Sequence, residues 1–303
     1  MVSQQAREEI ERIRARQRED AQRFPEGKPL DINRREWEAQ ARLTTLPKGA
    51  RFHSVDAAGV KCEWMEMPPV SPARVVLFMH GGGFVAGSPR THRKLAAALS
   101  RAAYARILMP EYPLAPEHPF PAAVKDGLRV YGWLIEQGIA ASDIVLGGDS
   151  AGGGLALSML LALRDAGAAL PRAAVLMSAW TDLTVSSPSY ERNRRIDPSL
   201  TREKLRLAAQ NYIGTRDLRD PLASPLFADP TGLPPLLLQV GGDEVMLDDS
   251  RLFAERARAA GVDATLRVFE GIWHVHQHHA PELPEALAAM TEIAAFIRAQ
   301  FGD

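Results

Sequence analysis

The chain has 303 residues, 46% hydrophobic and 24% charged, with a formal net charge of -1 and a pI of about 6.7. Such near-neutral composition is that of an ordinary globular protein and suggests no nucleic-acid partner, and the length suits one large domain with an appended subdomain. The single cysteine, Cys62, cannot form an internal disulfide, which fits a reducing cytoplasm. The N-terminus has no apolar h-region, and no apolar run approaches membrane-spanning length.

Residues 1–23 predict an amphipathic helix with Val2, Ala6, Ile10 and Ile13 on one face, ending near Phe24-Pro25. A second helix is expected after Asn33, with Glu36 in a capping-box-like position and Trp37 and Ala41 facing inward. Residues 51–67 read as a hairpin turning at Ala57-Ala58-Gly59, with Cys62 as a strand packing residue. The apolar run Val75–Met79 predicts a buried central strand, followed at once by His80-Gly81-Gly82-Gly83-Phe84.

Beyond it the pattern alternates. It predicts a helix over 91–101, a strand over 105–109, a proline-stiffened loop over 111–121 and a helix over 122–137. The strand Ile144–Leu146 leads through a small-residue turn into the apolar run 155–161, and a further strand covers 173–177. Residues 184–225 break the alternation, with a helix starting at Thr201 that sets Leu205, Ala208 and Tyr212 on one face. Strand 236–240, helix 248–260, strand 264–269 and helix 284–301 complete the chain. Strands alternating with helices imply an α/β fold with a mostly parallel central sheet flanked by helices.

Three stretches carry chemistry. Gly148-Asp149-Ser150-Ala151-Gly152 fits G-x-S-x-G, the nucleophile elbow of a strand-to-helix turn; side chains at 148 or 152 would clash in so tight a bend. The glycine run after His80 lets successive backbone N–H groups converge on one point, as an oxyanion hole requires, with Ala151 as the donor following the nucleophile. It lacks the lysine or spacing of a phosphate-binding loop. The remaining partners of a serine hydrolase follow in the order acid, then histidine. Asp243-Glu244 lies after one predicted strand and His274 after the next, both at carboxyl ends where α/β sheets place their sites. His274 comes first on its loop and is the best base. His276, His278 and His279 crowd behind it, but with no carboxylate or cysteine at ligand spacing they are not read as a metal site. Asp149, Asp126 and Glu117 are read as structural.

These residues resemble the hormone-sensitive-lipase-like family of α/β-hydrolases, especially its bacterial esterases. The match rests on His80-Gly-Gly-Gly-Phe84, Tyr112-x-Leu-Ala-Pro-Glu117, Gly148-Asp-Ser-Ala-Gly-Gly153, Asp243-Glu-x-x-x-Asp248 and His274. One departure is Pro113, where the family usually has arginine. The resemblance implies an α/β-hydrolase fold with a helical cap. Residues 1–50 and 184–225 would supply the cap, and residues 51–183 and 226–303 the two parts of the core.

Alignment of the family's D-P-L-x-D-E segment through Asp248 makes Glu244, not Asp243, the catalytic acid beside Ser150 and His274. Gly82, Gly83 and Ala151 would hold the oxyanion. The implied activity is hydrolysis of short- to medium-chain acyl esters, with a small-molecule ester as partner, no nucleic acid, no membrane, and no cofactor or metal. An amidase or deacetylase would use the same triad. A ligand-binding relative of this fold lacks the histidine that is present here. The oligomeric state, a homodimer included, stays open.

Overall fold

The computed structural model describes residues 2–302. The chain begins with two helices, α1 (Gln4–Arg23) and α2 (Leu30–Leu43), before the hairpin β1 (Arg51–Ala57) and β2 (Val60–Glu66). The alternating part follows: β3 (Ser71–Met79), α3 (Arg93–Ala103), β4 (Ala105–Pro110), α4 (Ala122–Glu136), β5 (Ile144–Asp149), α5 (Ala151–Asp165) and β6 (Ala173–Met177). Two helices without a strand between them, α6 (Ser189–Arg192) and α7 (Arg202–Ile213), interrupt it. Then come β7 (Leu236–Gly241), α8 (Leu247–Ala259), β8 (Ala264–Phe269) and α9 (Pro284–Phe301).

The strands form one sheet in the order β1-β2-β4-β3-β5-β6-β7-β8. β1 and β2 are antiparallel to their neighbours, and every pairing from β4 to β8 is parallel. Alternation along β3 shows how both faces are covered. Val75, Leu77 and Met79 join one apolar cluster with residues of α4, α5 and α8, while Val76 and Phe78 join a second with residues of α3 and α9. All five are fully buried, and each such side chain contributes about 1.5–3 kcal/mol from burial. A strand buried on both faces reads as a continuous apolar run, which is why β3 was visible in the sequence. Cys62 is buried on β2, as expected of a packing residue.

The N-terminal helices differ from each other. α1 packs by its apolar stripe: Ala6 is buried, Val2, Ile10 and Ile13 rest on the α3/α9 side of the core, and the Ser3 hydroxyl caps the helix at Ala6 N–H, 3.1 Å. α2 departs from expectation. It starts at Leu30 rather than after Asn33, its N-cap is Pro29 with no side-chain cap, and Trp37 is 40% exposed. The physical reason is that α2 docks by polar groups, not an apolar stripe. Arg34 and Glu38, one turn apart, face the body of the protein. The Arg34 guanidinium donates to the carbonyls of Val85 (2.6 Å) and Ala115 (2.7 Å) and to both oxygens of Glu117 (2.8 Å each), while Glu38 accepts from Ser88 and Arg90.

α7 is closer to its reading. Thr201 caps it through Lys204 N–H, and Leu205 and Tyr212 are buried on its inner face. No helix among the described residues is long and apolar enough to cross a membrane.

Candidate active site

The turn between β5 and α5 is strained at its centre. Ser150 has φ 54° and ψ -124°, a region that side-chain-bearing residues seldom occupy. The neighbouring glycines make the turn feasible. A Cβ on Gly148 would stand 2.3 Å from Gly152 O, and one on Gly152 would stand 2.0 Å from Met79 O. The Ser150 N–H donates to Met177 O at 2.8 Å and its carbonyl accepts from Trp180 N–H at 2.9 Å, so β6 and the residues after it brace the bend.

The glycine loop after β3 faces the same end of the sheet. Gly82 has φ 118° and Gly83 φ 64°, and a Cβ on Gly82 would meet Ala86 O at 2.1 Å. Gly82 O accepts from Val85 and Ala86 N–H, closing a tight turn. Among the described residues the N–H groups of Gly82, Gly83 and Ala151 donate to no backbone carbonyl. These three N–H groups are thus left without a backbone acceptor, and that of Ala151 opens α5, where the helix dipole favours negative charge. The loop is held from behind: Gly81 N–H donates to Asp149 Oδ1 at 2.9 Å, and the Tyr112 hydroxyl donates to His80 O at 2.6 Å while its ring stacks on His80 at 4.0 Å.

The acid and the histidine come together from the loops after β7 and β8. His274 Nδ1 donates to Glu244 Oε2 at 2.8 Å, and Glu244 is fully buried. Its other oxygen, Oε1, accepts from Ser178 Oγ at 2.6 Å and Gly241 N–H at 2.5 Å. Burial alone would lower the His274 pKa, but the Glu244 carboxylate outweighs it and the pKa is raised from the ordinary 6.5. Asp243 is not part of this arrangement. It is partly exposed, its N–H bonds Ile272 O, and burial together with Asp197 and Glu270 raises its carboxyl pKa.

Behind the Ser150 turn, Asp149 is shared by two histidines, with His92 Nε2 at 3.4 Å from Oδ1 and His278 Nε2 at 3.6 Å from Oδ2. Burial opposes ionisation of Asp149, but His92 and His278 prevail and hold it well below the usual carboxylate range. His80, next to this group, is pushed down to about 3 by burial and by His92.

An α/β-hydrolase-fold family model matches residues 76–278, which contain the glycine loop, the Ser150 turn, Glu244 and His274. The chain is 43% identical over 241 residues to an acetyl-hydrolase of Streptomyces hygroscopicus, covering 80% of each chain. It is 39% identical over 257 residues to an esterase of Acinetobacter venetianus, covering 84% of each. A crystal structure of a bacterial hormone-sensitive-lipase-family esterase superposes with a TM-score of 0.91 at 44% identity, over 96% of this chain and 98% of that one. The chain belongs to the hormone-sensitive-lipase-like family of α/β-hydrolases. It is an enzyme, a carboxylic ester hydrolase.

Several residues that shape the site of this α/β-hydrolase carry no sequence motif. Ser178, at the end of β6 with φ 50°, joins Glu244 to Val275 N–H (3.2 Å). Asn193 donates to the carbonyls of Gly242 and Glu244 at 3.0 and 2.7 Å. The only hint of Ser178 was its place at a strand's carboxyl end. The ground on which metal binding was set aside also changes. A carboxylate does stand beside the histidine cluster, because the fold brings Asp149 and His92 to His278 from distant parts of the chain.

Proposed function

We propose that this hydrolase cleaves short- to medium-chain acyl esters through Ser150, His274 and Glu244. Ser150 Oγ attacks the ester carbonyl as its proton passes to His274 Nε2, while Glu244 holds the ring by Nδ1–H and stabilises the imidazolium. The oxyanion of the tetrahedral intermediate accepts hydrogen bonds from Gly82, Gly83 and Ala151 N–H. Collapse expels the alcohol, which takes the proton from His274, and leaves an acyl group on Ser150. Water, deprotonated by His274, then releases the acid.

The observation that carries this reading is the 2.8 Å bond from His274 Nδ1 to the buried Glu244. That bond leaves Nε2 as the ring's acceptor for a serine proton.

Residues 1–50 and 184–225 act as a cap that limits the acyl site. In support, α7 lies against the glycine loop: a Cβ on Gly83 would be 3.4 Å from the Ala208 Cβ. Phe84 stacks on Tyr212 at 3.7 Å and faces Trp180 at 6.0 Å. Rings packed so tightly beside the glycine loop favour a small acyl group over a bulky one.

The test is labelling with a fluorophosphonate and turnover of p-nitrophenyl esters of increasing chain length, each beside its matching anilide. Ser150→Ala should lose both labelling and nearly all turnover, and the short esters should exceed the anilides. Labelling of the variant at another serine overturns the nucleophile assignment, and preference for the anilides overturns the substrate class.

A further inference from the structure

We propose that His92, Asp149 and His278 form a binding site for a divalent transition-metal ion, zinc by the character of the donors, and that an ion held there slows ester turnover. Two imidazole nitrogens and a carboxylate oxygen lie within 4.8 Å of one another. With zinc bonds of about 2.0–2.1 Å, the edge of a tetrahedral site is about 3.4 Å. Each histidine approaches its own oxygen of Asp149 at close to that distance, His92 Nε2 at 3.4 Å from Oδ1 and His278 Nε2 at 3.6 Å from Oδ2. The three donor atoms, spread over as much as 4.8 Å, need only small side-chain movements to close on one ion.

The orientation of His92 supports the same conclusion. Its Nδ1 lies 3.1 Å from Ser88 O and 2.8 Å from Thr91 Oγ1. A carbonyl can only accept, so Nδ1 carries a proton, which leaves Nε2, the ring atom beside Asp149, as the one to take a metal ion. A ligating histidine is ordinarily fixed by such an outer hydrogen bond. The three residues come from three separate elements: the turn before α3, the end of β5 and the segment after β8. The sheet and α3 thus hold the group together. Solvent reaches it beside His278, whose side chain is 31% exposed while those of His92 and Asp149 are 3% and 4% exposed.

The link to turnover runs through Gly81. Its N–H donates to Asp149 Oδ1 at 2.9 Å and lies 3.2 Å from His92 Nε2, so it uses the electron pairs that a cation would take. A cation there repels the N–H and displaces the start of the glycine loop. This link, unlike the site itself, rests on Gly82 and Gly83 serving as oxyanion donors.

Cobalt(II) is the probe, read by its visible ligand-field absorption, with zinc competing for the same site. The wild type should bind one equivalent. His278→Gln should weaken binding by at least about tenfold, since loss of even an outer partner of a ligand costs that much. His279→Gln, the neighbouring imidazole outside the group, should bind as the wild type does. Ser150→Ala should also bind normally, which separates the site from the catalytic reading.

Equal binding by wild type and His278→Gln overturns the site. In the unaltered protein, zinc should also protect His278 from carbethoxylation by diethyl pyrocarbonate, followed by mass spectrometry; unchanged modification overturns it equally. Turnover should fall in step with occupancy in the wild type and not in His278→Gln, and occupancy without loss of turnover overturns the link to catalysis.

Discussion

Ser178 Oγ donates to Glu244 Oε1 at 2.6 Å and accepts from Val275 N–H at 3.2 Å. One hydroxyl thus ties the carboxylate that bonds His274 to the residue that follows His274. The hydroxyl holds the acid and the base loop in register, and a hydrogen bond to a charged group contributes about 1.5–3 kcal/mol.

Ser178→Ala and Ser178→Gly should therefore both lower kcat by roughly tenfold, with little change in KM. They should part in stability. The φ of 50° at this position suits glycine and costs alanine about 1 kcal/mol, so the glycine variant should melt higher than the alanine variant. Unchanged kcat in both variants would show that Glu244 needs no such support.

The two neighbouring acids make a direct contrast. Glu244→Gln should reduce kcat by roughly 10²–10⁴, whereas Asp243→Asn should stay within about tenfold of the wild type. The pH profile carries the sign. His274 must be neutral to accept a proton, and its pKa is raised above 6.5 by Glu244, so the acid limb of kcat/KM in the wild type should lie above pH 6.5. Without the Glu244 carboxylate, burial is opposed only by the more weakly acting Asp197 and Asp149, and the limb of the residual activity should move to lower pH. A crippled Asp243→Asn beside a near-normal Glu244→Gln would shift the acid by one residue.

Arg34 grips two carbonyls of the segments flanking the site, those of Val85 and Ala115, and Glu117 besides. Arg34→Ala should lower both the melting temperature and kcat, the latter by roughly tenfold, because the turn that follows Gly82 loses an anchor. Arg34→Lys should not restore either, since one ammonium cannot reproduce a fork of several donors. Glu117→Ala should matter far less, the carboxylate being 55% exposed. Equal effects of Arg34→Ala and Glu117→Ala on melting temperature and kcat would refute the role of the carbonyl contacts.

His276 is fully buried and its pKa is pushed down to about 3, by burial first and then by His279. Among the described residues neither ring nitrogen has a hydrogen-bond partner, and the ring lies 4.8 Å from that of Phe269. The folded pKa is below the ordinary 6.5. The unfolded chain therefore binds the proton more readily as pH falls from about 6.5 towards 3, and folding stability declines across that window. His276→Leu removes this contribution, so its melting temperature should fall less between pH 7 and pH 4 than that of the wild type. Parallel curves would mean that the ring is already protonated when folded.

The sheet was legible because its signals are local. Apolar runs mark strands buried on both faces, and the turns at Gly148–Gly152 and Gly82–Gly83 exclude side chains by backbone contact alone. The unreadable parts depend on residues far apart in the chain. Nothing near Arg34 foretells that its partners are the carbonyls of Val85 and Ala115, and a helix docked by charged groups offers no apolar stripe; hence the misplaced start of α2 and the exposure of Trp37. Asp149, His92 and His278 likewise have ligand spacing only once β5, α3 and the segment after β8 have packed. Ser178 is one serine among many until β6 and β7 lie side by side.

The stacking of Phe84 on Tyr212, 3.7 Å apart and 7° from parallel, joins the glycine loop to α7. Phe84 immediately follows Gly83 and itself has φ 62°, so its ring acts as a prop for a backbone that would relax without it. If α7 caps the acyl site as proposed, a substrate bulky enough to push it outward would lift Tyr212 from that prop and slacken the proposed oxyanion donors. Selection against large acyl groups would then fall on the chemical step. Oversized esters would still be held, and would be turned over slowly.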